Sequence, residues 1–95
     1  MATVHFGDFE WDATKAASNA RKHGVLFEEA ATAFDDANAI DAPDRFVADR
    51  FVLIGRSARD HILFVVHAVR SHGRIRIISA RKASPAQRKA YESAR

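Results

Sequence analysis

The chain has 95 residues, 47% apolar and 28% charged, a length and balance that fit one globular domain over residues 1–95 built on one core. It has no cysteine, which removes disulfides, thiolate metal sites and cysteine nucleophiles, and its longest apolar run, Ile62 to Val66, is far too short for a membrane helix. The net charge of +3 hides a split: residues 1–49 hold four Lys/Arg against ten Asp/Glu, and residues 50–95 hold eleven against two.

Val4 to Trp11 is aromatic-rich and reads as a short strand or extended arm. Its start lacks the basic and apolar regions of a secretion signal, so the cytoplasm is the expected compartment. Asp12 is a good N-cap, and Lys22-His23-Gly24 supplies a basic last turn and a C′ glycine, so a helix is predicted between them. Its Ala13, Ala16, Ala17 and Ala20 form a stripe without bulk that allows close packing. A second helix is predicted from about Phe27 to Phe34, with Glu28 and Glu29 in its first turn. Residues 35–49 are acidic and turn-rich, with a short strand at Ala39 to Asp41.

Three strands follow, Arg50–Arg56, His61–Arg70 and Arg74–Arg81, joined by loops short enough to force antiparallel hairpins. Ser84-Pro85-Ala86-Gln87 is a capping box with proline at N1, opening a last helix. The expected fold is α+β: two N-terminal helices, an antiparallel sheet of three to four strands, and a C-terminal helix.

Alternation sorts the strand residues once a register is assumed. With Arg56 opposite His61, one face holds Phe51, Leu53, Ile62, Phe64, Val66 and Ile78. The other then holds Arg50, Arg56, His61, His67, Ser79 and Arg81, and a one-residue slip would exchange the faces. Arginines on several strands over a partly apolar sheet make a phosphate surface, because a guanidinium is always charged and grips two oxygens at once. A basic half is also what a merely solvated surface looks like.

Phosphate-loop, nucleophile-elbow and zinc spacings are lacking. His61 and His67 stand six residues apart on one strand, roughly 20 Å, so they cannot share a metal ion. No metal or cofactor is expected. His23 also fits a plain role capping helix carbonyls, His67 that of a half-buried strand histidine, and Tyr91 that of a packing residue.

Several blocks together carry a family resemblance. Phe9-Glu10-Trp11-Asp12, Lys15, Asn19, Lys22-His23-Gly24, Phe27-Glu28-Glu29-Ala30 and Asp35-Asp36 come first. Arg50-Phe51, Ile54-Gly55-Arg56, Arg74-Ile75-Arg76-Ile77-Ile78-Ser79-Ala80-Arg81, Arg88 and Tyr91 complete the set. In order and spacing the chain resembles the BrnT toxin family. The resemblance implies a RelE-like fold and a ribonuclease that arrests translation. It also implies neutralisation by a BrnA-like ribbon-helix-helix antitoxin, in a complex with two copies of each that binds promoter DNA through the antitoxin. Two positions depart from the family habit: Gln87 and Asp49 stand where glutamate is frequent.

On that reading RNA is cleaved without metal by attack of a 2′-hydroxyl on the adjacent phosphate. The reaction needs a base, an acid and cations around the phosphorus. Arg56, Arg76 and Arg81 are the expected cations, His67 the expected acid or base, and Tyr91 a supporting group. Lys22, His23, Arg50, Arg74, Ser79, Lys82 and Arg88 are the expected RNA contacts. Two other functions fit the same composition: a nucleic-acid-binding module without catalysis, and a toxin of this fold that inhibits a protein such as gyrase.

Overall fold

The computed structural model describes residues 2–94. Nine regular elements follow in order: β1 (Thr3–Phe6), β2 (Phe9–Asp12), α1 (Ala13–His23), α2 (Phe27–Thr32), β3 (Ile40–Pro43), β4 (Phe51–Arg56), β5 (Ile62–Val69), β6 (Ile75–Lys82) and α3 (Pro85–Ser93). A single 3-10 turn, Ala33–Asp35, continues α2.

The caps read from the sequence are in place. The Asp12 carboxylate accepts from the Lys15 N–H at 2.9 Å, and Gly24 closes α1 at φ 71°, a left-handed conformation that glycine adopts without strain. Ser84 and Gln87 complete the reciprocal capping box of α3.

The sheet differs from expectation. It has six strands, not three to four, in the order β1-β2-β6-β5-β4-β3, and it is mixed, because β2 runs parallel to β6. Val4 to Trp11 is not one arm. The chain turns back at Gly7-Asp8, with Gly7 at φ 59°, and pairs Phe6 with Phe9. The acidic segment supplies β3 as an edge strand, where terminal Pro43 needs no ladder hydrogen bond.

The assumed face assignment also fails, for two countable reasons. Arg56 pairs with Ile62, not His61, since the β4–β5 loop is Ala58-Arg59-Asp60 and Asp60 takes a positive φ of 67°. That slip reverses every side chain of β5. On β6 the pairing jumps from Val66–Ser79 to His67–Ile77, so Ile78 is an extra bulged residue that switches the strand's phase.

One face therefore carries Leu53, Leu63, Val65, Ile77 and Ala80 into a core with Trp11, Val25, Phe27, Ala30 and Ala31. His67 lies on this face too. The other face carries Ile54, Ile62 and Phe64 beneath Tyr91 of α3. Arg56, Arg76, Ser79 and Arg81 lie on this second face, as their partners Ile62, Ala68, Val66 and Phe64 require. Gly55 meets the bend after α2 so closely that an added Cβ would stand 2.8 Å from the Ala33 carbonyl oxygen.

Candidate active site

α3 covers only part of its face, and where β6 leads into it the chain leaves a cleft of about 210 Å³. Arg56 comes to it from the end of β4, Lys82 from the end of β6 and Arg88 from α3, with His61 and Asp60 from the β4–β5 turn. Glu92 also borders it. One of the three expected cations, Arg56, thus meets two of the expected RNA contacts, Lys82 and Arg88, at one concave place, each from a different element.

Arg56 is held at both ends. Its backbone N–H donates to Asp36 Oδ2 at 2.8 Å, and its guanidinium lies 5.9 Å from the Tyr91 ring and donates to Asp60 Oδ1 at 2.7 Å. Tyr91 is buried and its hydroxyl donates to the same Asp36 oxygen at 2.6 Å. Burial is the largest influence on Asp36 and acts to raise its pKa. Hydrogen bonds from Tyr91, Arg56 and Asn38 outweigh it, so the carboxyl sits below its ordinary range. The hydrogen bond to Asp36 in turn raises the Tyr91 phenol above its usual value, with burial adding to the effect.

Arg81 lies beside the cleft. Its guanidinium stacks 4.5 Å from the centre of the Phe64 ring and donates to Gln87 Oε1 at 3.0 Å and to the Lys82 carbonyl at 3.1 Å. Gln87, the departure from the family habit, is thereby occupied as a cap and as a partner of Arg81.

The other seven predicted residues lie elsewhere. Lys22, His23 and Ser79 come together with Lys15 along a second groove of about 290 Å³ between α1 and β6. Asn19 fixes that junction, its side-chain amide donating to the Ala80 carbonyl at 2.8 Å and accepting from the Ala80 N–H at 3.1 Å. Arg76 and Arg74 sit toward the other end of β6. Arg76 donates to the buried Glu10 carboxylate at 2.6 Å, and Arg74 donates to the Gly7 carbonyl at 2.6 Å. The Arg76 hydrogen bond is what holds Glu10 below the ordinary carboxylate range, against the effect of burial. This pair ties β2 to β6, and its charge is already matched. Arg50 stands just ahead of β4, its carbonyl accepting from the Asp44 N–H at 2.8 Å.

His67 is not brought to the arginines. It is 2% exposed on the opposite face, edge-on to Phe34 and stacked near Phe51. Its Nδ1 is 3.3 Å from the Val65 carbonyl and its Nε2 3.6 Å from Asp41. Burial pushes its pKa down, more than Val65 and Asp41 push it up.

The sequence reading passed over the group behind the cleft. Glu29 of α2 is buried, and its Oε2 accepts from Ser57 Oγ at 2.7 Å and lies 2.8 Å from His61 Nδ1. The available signal was a carboxylate among Phe27, Ala30 and Ala31 on a short apolar helix, where an acid needs a partner.

A family model described as "Ribonuclease toxin, BrnT, of type II toxin-antitoxin system" matches residues 11–87. The chain belongs to the BrnT family. Consistent with this, the fold is similar to a 1.1 Å crystal structure of the Brucella abortus ribonuclease toxin BrnT, with a TM-score of 0.65 and 29% identity. That likeness covers 78% of this chain and 92% of the Brucella chain. Among curated proteins, none matches the chain. The BrnT match takes in Arg56, His61 and Lys82 and stops at Gln87, ahead of Arg88 and Tyr91.

Proposed function

We propose that the protein is a metal-independent endoribonuclease of RelE-like fold that arrests translation from the cytoplasm. The reading is carried by one observation, the convergence of Arg56, Lys82 and Arg88 on the cleft beside α3. A phosphodiester placed there meets cations from three directions, and they stabilise the extra negative charge of a pentacoordinate phosphorus. A divalent ion would meet the same positive field, so the cations take its place. Arg81, fixed over Phe64, continues the positive surface along the sheet. Lys15, Lys22, His23 and Ser79 form a second groove for backbone phosphates farther along the strand.

The partner in this reading is a BrnA-like ribbon-helix-helix antitoxin in a complex with two copies of each, which binds promoter DNA. The open half of the α3 face supports it. There Phe64 is half-buried under the Arg81 guanidinium and Phe46, 90% exposed, borders the same groove, so a partner with apolar and acidic side chains would cover the site's flank.

Purified protein incubated with RNA in EDTA tests the activity. Fragments ending in 2′,3′-cyclic phosphate and beginning with 5′-hydroxyl are expected. RNA that is retarded on a gel but stays intact would return the non-catalytic reading, and inhibited gyrase with intact RNA would return the protein-target reading.

A further inference from the structure

The RNA-cleavage reading leaves open which group takes the 2′-hydroxyl proton. His67, the expected acid or base, is poorly placed for it, and so is Tyr91, the expected supporting group. His67 is enclosed on the opposite sheet face, and the Tyr91 hydroxyl is committed to Asp36 inside the core. His61 borders the cleft with its side chain 39% exposed, and among the described residues it is the histidine found there.

We propose that His61 is the general base of the cleavage, oriented by Glu29, an assignment that rests on the ribonuclease reading above. Three observations support it. The Glu29 carboxylate is buried, and one of its oxygens faces both Ser57 Oγ and His61 Nδ1 within 2.8 Å. Burial is the largest influence on Glu29 and would raise its pKa, yet hydrogen bonds from Ser57 and His61, with the charges of His61 and Arg59, bring it below the ordinary range. The carboxylate is therefore ionised and can only accept.

Nδ1 must then carry the hydrogen, which leaves the Nε2 lone pair on the far side of the ring. A histidine fixed to a carboxylate through one nitrogen, with the other open, is the arrangement that orients a general base in hydrolytic triads. The charged groups around the ring come from every neighbouring element: Glu29 from α2, Arg56 from β4, Asp60 from the turn, Lys82 from β6, and Arg88 and Glu92 from α3.

In the step, Nε2 takes the 2′-hydroxyl proton as O2′ bonds to phosphorus. The P–O5′ bond breaks, the departing 5′ oxygen takes a proton from water, and the resulting hydroxide removes the proton from the imidazolium. Arg56, Lys82 and Arg88 hold the phosphate oxygens throughout. Glu29 touches no substrate and acts by positioning.

His61→Asn is the deciding variant, because its amide N–H replaces the Nδ1 donor to Glu29 while nothing replaces Nε2. The expected result is an unchanged Tm and KM with kcat on RNA reduced ~10²–10⁴-fold. Added imidazole should restore part of the cleavage by His61→Ala, which a merely structural histidine would not allow. Glu29→Gln should lower kcat with little change in KM. A wild-type protein that cleaves RNA beside a folded His61→Asn variant equally active would overturn this assignment alone. A wild type inert on RNA would overturn the ribonuclease reading and the assignment together.

Discussion

The Tyr91 hydroxyl donates to Asp36 at 2.6 Å, and the Arg56 N–H donates to the same carboxylate oxygen at 2.8 Å. Asp36 thus joins the last helix, the end of β4 and the bend after α2, and Arg56 carries this junction to the cleft. Tyr91→Phe leaves the ring in place and removes only the donor. It should cost ~1.5–3 kcal/mol, the usual loss for a hydrogen bond to a charged group. Urea unfolding of the two proteins measures it, and an unchanged midpoint would separate α3 from this anchor.

Arg56 and Arg76 lie on one face of the sheet and should respond differently to truncation. Arg56→Ala removes a cation from the cleft and should lower kcat ~10²–10³-fold with the fold intact. Arg76→Ala strips the buried Glu10 carboxylate of its 2.6 Å partner and should cost ~1–3 kcal/mol of stability while retaining more cleavage than Arg56→Ala. Thermal unfolding and single-turnover cleavage, run on both variants, check the contrast.

Gly55 has an ordinary backbone but no room. A Cβ would stand 2.8 Å from the Ala33 oxygen and 3.1 Å from Ala39 Cβ. Gly55→Ala must push β4 away from the bend that carries Asp36, at ~1–3 kcal/mol as for other overpacked cores. Chemical denaturation should show the loss, and cleavage should fall with it because Arg56 follows on the same strand.

Between the carboxylate and tyrosine ranges, the pH dependence of stability has one contribution of known sign. His67 has its pKa lowered by burial, so between the ordinary histidine value of ~6.5 and its lower folded value the unfolded chain binds a proton that the folded chain does not. Stability is full above that window and falls as pH drops through it. Wild type should lose stability from about pH 6.5 downward, and His67→Phe, packed between Phe34 and Phe51, should lose less over the same range. Unfolding measured at several pH values gives the two slopes.

Several parts of the molecule were legible in the residues alone because their causes are local. The α1 and α3 caps depend on side chains three residues from the groups they satisfy, and the β5 and β6 segments are long enough to be read as strands, though not to have their faces sorted. The family could be read from blocks in order. The Gly7-Asp8 turn is also local, but it was hidden inside a run of aromatic residues that looked continuous.

What only the tertiary structure decided was pairing between distant segments. One residue in the β4–β5 loop and one bulged isoleucine on β6 reversed which side chains share a face, because a strand's side chains alternate and any odd shift exchanges the two sides. That reversal took His67 from the arginines into the core. It left His61 at the end of the sheet, where Glu29, 32 positions earlier in the chain, reaches it. Composition placed the positive charge in the second half of the chain. Folding decided which of those charges line a cleft, where the acid that Arg56 meets is the exposed Asp60, and which, like Arg76, are already answered by a buried acid.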